Sequence, residues 1–180
     1  QTLQSIQKQE FRDYEIVLKD GGSTDGSLQK LDPEQPGLHV VTKPDRGIYD
    51  AMNQAVEEAK GRFVFFLNCG DWFMDEQVLA DMHDRIAGQE QTGAEHSAIY
   101  YGNVYERVTG QLVSSNPKLN AFGCYRNVPC HQACFYEREL LLRHPFQLEY
   151  RVRADYEQFL WCFFEAKANP FYTGITVADY

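Results

Sequence analysis

Apolar and polar residues recur along the chain with two different periods, and these periods predict strands and helices in turn. Short apolar runs, which are typical of buried strands, occupy positions 15–19, 38–41 and 63–67. Apolar residues at helical spacing predict helices with Leu3, Ile6 and Phe11 on one stripe, over Leu28 and Leu31, from Asp50, over Val78 to Ile86, and from Asp155 through Phe163. The run AIYYGNVYERVTGQLV predicts two strands joined near Thr109 and Gly110.

Short strands that alternate with helices predict an α/β fold, with a mostly parallel sheet and helices on both of its faces. In such folds, ligands bind beyond the carboxyl ends of the strands. Alternating α/β domains usually open with a strand, whereas this sequence opens within a predicted helix. We therefore expect residues 1–180 to be a single-domain fragment with parts missing at both ends.

Composition narrows the classes of protein that fit. The chain has 180 residues, 43% hydrophobic and 24% charged, as expected for one soluble globular domain. Its formal net charge of −9 argues against a nucleic-acid-binding surface, which needs a basic face. The 5 cysteines form no CxxC pair, which indicates a reduced, cytoplasmic protein, and Cys130 and Cys134 around His131 lack the second ligand pair of a zinc site. No apolar run of about 18 residues predicts a membrane span.

The first predicted strand leads into the polar run DGGSTDGS, which begins at Asp20. Its glycines let the backbone approach a ligand, and the Asp20 carboxylate is suited to accept a hydrogen bond from a nucleobase N–H or a ribose hydroxyl. The alternative is an ordinary strand-to-helix turn with Thr24 or Asp25 as the N-cap. The run matches neither GxGxxG nor a P-loop, which disfavours a dehydrogenase or an ATPase.

The strand at 63–67 is followed by LNCGDWF, which contains Asp71. A carboxylate at a strand end, together with a nucleotide diphosphate, is a sufficient nucleus for a Mg²⁺ or Mn²⁺ site. The alternative is that Asp71 caps the next helix, although Asp75 stands closer to that helix.

The segment KPDRGIYDAMNQA runs from a loop with two acids and two bases directly into an amphipathic helix. A mere connection does not need four charged side chains, so we expect a polar ligand to meet this loop. The alternative is a solvated loop in which Gly47 only allows a turn.

Four segments, in this order, resemble the family 2 glycosyltransferases of the GT-A fold: EIVLKDGGSTDGS, KPDRGIYDAMNQA, GRFVFFLNCGD and RADYEQFL. The likeness is strongest to bacterial enzymes of exopolysaccharide and colanic acid biosynthesis, and it extends over nearly the whole chain. It implies a Rossmann-like GT-A sheet that here lacks the family's first strand. The family's metal motif is often Asp-x-Asp, and Cys69 replaces its first acid, which leaves Asp71 as the metal ligand.

The resemblance also implies roles for particular residues. Asp155, at the head of the last helix, corresponds to the catalytic base; Glu157 is the alternative base, and N-capping is the alternative role for Asp155. In the charged loop, Lys43 or Arg46 would offset diphosphate charge and Asp45 or Asp50 would meet sugar hydroxyls. The acceptor or the diphosphate would be met by His131, Gln132 and Trp72. The full donor-binding set comprises Asp20, Gly21, Ser23, Lys43, Asp45, Arg46, Gly47, Asp50, Asn53, Asn68 and Gly70.

Together these expectations describe an inverting glycosyltransferase with Mg²⁺ or Mn²⁺ as cofactor. It would move a sugar from a nucleotide-sugar, expected to be UDP-linked, to a saccharide or lipid-linked acceptor in cell-surface polysaccharide biosynthesis. A cytoplasmic location is expected, and peripheral association with the inner face of the membrane through parts outside this chain stays open. The alternatives are a glycoside hydrolase with Asp71 and Asp155 as paired carboxylates, and a non-catalytic remnant that binds nucleotide-sugars.

Overall fold

A computed structural model describes residues 1–32, 34–93 and 98–180. The helices are α1 (Thr2–Gln7), α2 (Ile48–Glu58), α3 (Val78–Gln91), α4 (Ala121–Arg126), α5 (Arg138–Arg143) and α6 (Ala154–Phe164). The strands are β1 (Ile16–Asp20), β2 (Leu38–Thr42), β3 (Phe63–Phe65), β4 (Trp72–Phe73), β5 (Ile99–Glu106), β6 (Gln111–Val113), β7 (Cys134–Glu137) and β8 (Pro170–Asp179). Single turns of 3-10 helix cover Leu28–Lys30 and His131–Ala133.

The described strands form two sheets. β1 and β2 pair in parallel as a two-stranded sheet. The larger sheet has the order β3-β7-β5-β8-β4, with β6 paired to β5 beside this path. β5 and β8 run parallel, whereas the remaining pairs of the larger sheet run antiparallel.

The α/β class is confirmed, but the larger sheet is mixed and not mostly parallel. The prediction missed β7, which lies between β3 and β5 and runs antiparallel to both. This strand has four residues, directly follows a 3-10 turn and leads directly into α5. Because no turn residues set it off as an isolated apolar run, its sequence carried no clear strand signal.

Helices cover both faces of the larger sheet, as predicted. Ile99 and Tyr101 of β5 belong to one buried cluster, which also contains residues of α2, α5 and α6. Tyr100 and Val104 belong to a second cluster, which includes Val78 and other residues of α3. Since successive strand residues point to opposite faces, the burial of the consecutive residues Ile99, Tyr100 and Tyr101 means that both faces of β5 are covered.

Several predicted elements have different bounds in the structure. α1 ends at Gln7, so Phe11 lies outside the helix and stacks instead on His83, with ring centroids 4.9 Å apart. The predicted helix over Leu28 is only a single 3-10 turn. Within the described ranges, no helix combines the length and the apolar character needed to cross a membrane.

The contact between β5 and β8 allows a test of the sheet. A Cβ on Gly102 would lie 2.1 Å from the backbone oxygen of Ile175, where the register between the strands shifts. We expect Gly102→Ala to lower the free energy of unfolding by at least about 2 kcal/mol, because neighbouring backbone would have to move.

Gly88 provides the matched control, because it lies within α3 and a Cβ there would meet nothing within 4 Å. Gly88→Ala should raise the free energy of unfolding by about 1 kcal/mol, the usual gain in helix propensity. Urea denaturation of both variants measures this. Wild-type stability in Gly102→Ala would contradict the close approach of β5 and β8.

Candidate active site

A chain of hydrogen bonds joins the start of α6 to the loop that follows β3. Asp155 Oδ2 lies 3.2 Å from Nδ1 of His131, and Nε2 of His131 lies 3.1 Å from Nδ2 of Asn68. With the proton on Nδ1 donated to Asp155, Nε2 is left to accept from the Asn68 amide. The backbone oxygen of Asn68 in turn accepts the N–H of Asp71 at 3.0 Å. The chain therefore links the Asp155 carboxylate to the backbone of Asp71, the other acid that the sequence singled out.

The Asp155 carboxylate is held from two sides and does not cap α6. Besides the contact with His131, its Oδ1 accepts a hydrogen bond of 2.9 Å from the hydroxyl of Tyr49. Burial acts to raise the pKa of Asp155, but the hydrogen bonds from His131 and Tyr49 outweigh it and hold the pKa below its ordinary value. The N-cap of α6 is Arg153, whose φ of 67° places it in the left-handed region. A strained non-glycine residue at this point is typical of functional sites.

Asp71 has a different environment from that of Asp155. Burial raises its pKa, opposed by a 3.5 Å hydrogen bond from Nε2 of Gln132 and by the charge of Arg107. It does not cap α3, because the amide of Leu79 in the first turn donates to the side chain of Gln9 instead. Among the described residues, no group of three or more His, Cys, Asp or Glu is arranged to hold a metal ion. Asp71 would therefore be an isolated protein ligand.

Arg107, which the sequence did not single out, anchors the loop that carries Asp71. Its guanidinium lies 3.4 Å from the ring centroid of Trp72 and contacts the backbone oxygen of Gly70 at 3.3 Å. It also pairs with Asp179 at 2.8 Å. From the other side, the amide of Gly70 donates to Thr2 Oγ1 at 3.1 Å. One face of Trp72 is thus already covered by a cation.

Lys19 is a second residue that the sequence analysis missed. Its side chain is 5% exposed, and its Nζ lies 2.9 Å from Oδ2 of Asp45. The same ammonium donates to the backbone oxygens of Asp20, at 3.0 Å, and of Lys43, at 2.6 Å. Lys19 therefore ties the loop after β1 to the loop after β2. A lysine inside an otherwise apolar strand was the available signal, because a buried lysine needs partners.

The Asp20 carboxylate shapes its own loop. It accepts the amide of Gly22 at 2.8 Å and that of Ser23 at 3.1 Å. Hydrogen bonding to Ser23 is the main cause of its lowered pKa. The neighbouring Gly21 lies against the second loop, because a Cβ there would be 2.8 Å from Oδ2 of Asp45. The contact of Asp20 with a nucleobase or ribose stays a prediction.

The acids of the charged loop hold its backbone. Asp45 Oδ1 accepts the amide of Gly47 at 3.1 Å, and Asp50 Oδ2 accepts the amide of Arg46 at 2.9 Å. Gly47 has φ 120° and ψ −178°, a conformation that essentially only glycine adopts. The side chain of Arg46 is 78% exposed and Lys43 is also exposed, so both face solvent. Contacts of these four charged residues with a sugar-nucleotide stay predictions.

Asn53, a predicted donor-binding residue, and Glu157, the alternative base, are each bonded to other parts of the protein. Both ends of the Asn53 amide bond the backbone of Phe146, each at 2.9 Å. Glu157, the alternative base, lies 2.9 Å from Nε2 of His144, whose ring stacks on Trp161. Neither belongs to the hydrogen-bonded chain that contains Asp155.

Comparison with known proteins decides the family. The sequence profile of glycosyl transferase family 2 matches residues 1–142. A PGL/p-HBAD biosynthesis glycosyltransferase of Mycobacterium tuberculosis is 35% identical over 183 residues, covering 99% of this chain and 69% of the relative. This chain belongs to glycosyl transferase family 2. A putative teichuronic acid biosynthesis glycosyltransferase of Bacillus subtilis, TuaG, is 34% identical over 99 residues, covering 51% of this chain and 39% of that protein.

Solved structures with the same fold place this family 2 chain among the GT-A glycosyltransferases. Staphylococcus aureus TarS (residues 1–349) aligns with a TM-score of 0.78 at 19% identity. A mannosyltransferase of Pyrobaculum calidifontis, solved with GDP-Man and Mn²⁺, aligns with a TM-score of 0.69 at 18% identity. Both alignments cover 99% of this chain but only 55% and 51% of those chains. The predicted GT-A fold is confirmed.

The Lys19–Asp45 pair allows a test of the two donor-side loops. We expect Lys19→Met to lower the free energy of unfolding at pH 7 by about 2 kcal/mol, because three oxygens lose a buried charged donor. The bond from Lys19 is the main cause of the lowered pKa of Asp45. A lowered carboxylate pKa contributes stability above the ordinary pKa of aspartate, and this stability is lost as the pH falls through the lowered value.

The stability difference between wild type and Lys19→Met should therefore shrink as the solution is acidified. Urea denaturation at a series of pH values measures it. Lys118→Met serves as the control, because Lys118 is exposed, and it should change little. A pH-independent difference would argue against the ion pair as the source of the stability.

Proposed function

We propose that this family 2 chain carries the catalytic site of an inverting glycosyltransferase. It would transfer a sugar from a nucleotide-sugar, which we expect to be a UDP-sugar, to a saccharide or lipid-linked acceptor. The observation that supports this most is the hydrogen-bonded chain from Asp155 through His131 and Asn68 to Asp71. It supports the proposal because it connects Asp155, the proposed base, to the loop that carries Asp71, the proposed metal ligand, and inverting transfer would use both groups.

In the proposed reaction, the acceptor hydroxyl attacks the anomeric carbon while its proton passes to the Asp155 carboxylate. The bond between the sugar and the diphosphate breaks, and the nucleoside diphosphate leaves with the bonding electron pair. The lowered pKa of Asp155, due to its bonds from His131 and Tyr49 against the effect of burial, keeps the carboxylate ionised and able to accept that proton.

The residues around Asp71 fit a weakly held divalent cation. A half-buried carboxylate whose pKa is raised by burial gains from a nearby cation, and oxygen is the ligand that Mg²⁺ and Mn²⁺ prefer. Asp71 would supply one ligand, and donor oxygens and water would supply the others. When bound, the cation would stabilise the charge that develops on the leaving diphosphate. In support of a divalent cation, the Pyrobaculum mannosyltransferase with the same fold was solved with Mn²⁺.

The loops joined by Lys19 are the proposed site of the nucleotide. In support, TarS has been solved with UDP and with UDP-GlcNAc. The exposed Arg46 and Lys43 would meet the diphosphate, while Asp20 and Ser23 would lie beside the nucleobase and ribose. The nucleoside diphosphate is the same in every UDP-sugar, so contacts with it would not distinguish one sugar from another.

Substituting Asp71 tests the metal assignment. Asp71→Asn keeps the size of the side chain and removes its charge, so we expect loss of Mn²⁺-dependent binding of UDP and UDP-sugars with folding intact. Calorimetric titration with and without Mn²⁺ measures this. The control is Asp75→Asn, which changes an exposed aspartate four residues further along. The assignment fails if Asp71→Asn keeps its Mn²⁺ dependence.

Substituting Asp155 tests the base. Asp155→Asn should reduce transfer by about 10² to 10⁴, the usual contribution of a positioned base, while donor binding stays near normal. Wild-type transfer should fall at low pH, as the Asp155 carboxylate becomes protonated, and the variant should lose this acid limb. Release of nucleoside diphosphate from a panel of UDP-sugars and GDP-mannose measures both.

Glu157→Gln is the matched control for the base. Glu157 lies on the same helix as Asp155, but its carboxylate bonds His144 and not His131. It should keep transfer within a few-fold of wild type. Loss of transfer in Glu157→Gln, with Asp155→Asn active, would move the base to Glu157. Donor binding without turnover in the wild type would support a non-catalytic nucleotide-sugar-binding protein.

A further inference from the structure

The segment KPDRGIYDAMNQA contains an aromatic residue whose role the donor loops do not explain. Tyr49 lies in the first turn of α2, one residue before Asp50, which holds the charged loop. Its hydroxyl is directed away from that loop, toward α6, and bonds Asp155, a residue 106 positions further along the chain. Tyr49 is thus a direct contact between the donor-side helix and the proposed base.

We propose that Tyr49 is a positioning residue for the reaction: its hydroxyl fixes the Asp155 carboxylate so that this group takes up the acceptor proton in one orientation. The proposal rests on the proposed function of Asp155. With Tyr49 on Oδ1 and His131 on Oδ2, both oxygens are restrained, so the carboxylate plane cannot rotate freely. Each oxygen keeps a lone pair for the acceptor hydroxyl.

The surroundings of Tyr49 are suited to a fixed donor. Its ring packs against Phe146, with centroids 5.5 Å apart, and Phe146 is itself held by both ends of the Asn53 amide. Burial raises the pKa of Tyr49, and the bond to Asp155 raises it further, so the phenol stays protonated and donates. Packing of α2 therefore determines where the hydroxyl points, and Asn53 contributes to this from one turn away.

A purely structural role for Tyr49 predicts a different outcome from a positioning role. If the ring only fills the core, removing the hydroxyl leaves both the Asp155 pKa and the transfer rate unchanged. If the hydroxyl orients and stabilises the ionised carboxylate, its removal raises the Asp155 pKa, because one of the bonds that lower it is lost. Misorientation of a reacting group by a fraction of an ångström to 1 Å reduces rates by up to about 10²-fold.

The other ionisable groups near Asp155 do not obscure this readout. Besides its contacts with His131 and Tyr49, the charge of Asp155 acts on Cys130, Cys134 and Tyr136, whose pKa values it helps to raise. Burial raises the pKa of Cys130 to about 11 and raises those of Cys134 and Tyr136 well above their ordinary values. These three groups stay neutral throughout the acidic range, and His131 is unchanged in every variant compared.

The test compares Tyr49→Phe with Tyr14→Phe, since Tyr14 also donates its hydroxyl, at 2.9 Å, but to the backbone of Ile6 in α1. Carboxyl ¹³C NMR titration, with the Asp155 signal assigned through Asp155→Asn, reports the pKa without any ligand. Release of nucleoside diphosphate, from the donor in the panel that binds most tightly, reports kcat and KM across the pH range.

For Tyr49→Phe we expect the Asp155 pKa and the acid limb of transfer to move to higher pH. We also expect kcat at neutral pH to fall roughly 10-fold with the donor KM unchanged. Tyr14→Phe should change neither. The proposal is overturned if Tyr49→Phe leaves either the Asp155 pKa or kcat unchanged. Failure of the proposed function of Asp155 is read from a different variant, because Asp155→Asn would then turn over normally. The two failures are therefore distinguishable.

Discussion

The hydrogen bonds that hold the Asp155 carboxylate between His131 and Tyr49 are the constraint on which the site depends. They join three parts of the chain that lie far apart in sequence: the first turn of α2, the 3-10 turn before β7, and the start of α6. Because the other ring nitrogen of His131 bonds Asn68, the same network fixes the position of the loop that carries Asp71. A shift of any of these elements would change the relation between the two carboxylates.

α2 connects this centre to the donor-side loops. In its first turn, the hydroxyl of Tyr49 donates to Asp155, and the carboxylate of Asp50 accepts the backbone amide of Arg46 in the charged loop. Beneath that loop, Lys19 ties Asp45 to the end of β1. The charged segment is therefore mostly an internal framework, which positions the exposed Arg46 and Lys43 for the proposed contact with a diphosphate. This explains why so many charges precede an ordinary amphipathic helix.

Local patterns predicted much of the fold. Amphipathic spacing identified α2, α3 and α6, and continuous apolar runs identified β1, β2 and β3. β7 was missed because a four-residue strand between a 3-10 turn and a helix has no boundary signal, and its position in the middle of the sheet makes the sheet mixed. At the site, the sequence singled out Asp71, Asp155 and His131, which the structure joins in one chain of hydrogen bonds, and their roles stay predictions. Lys19, Tyr49 and Arg107 were not, because their partners lie 24 to 106 residues away or on backbone atoms, which no local spacing reveals.

We propose that a divalent cation and the nucleotide meet at the loop after β3, beside His131 and Gln132. Paramagnetic broadening of amide signals by Mn²⁺ in the presence of UDP tests this most directly, because it reports where the ion is bound without requiring turnover. We expect the strongest UDP-dependent broadening at residues 68–72 and 131–132. Broadening centred instead on the acidic surface of α3, at Asp81 and Asp84, or identical broadening without UDP, would contradict it.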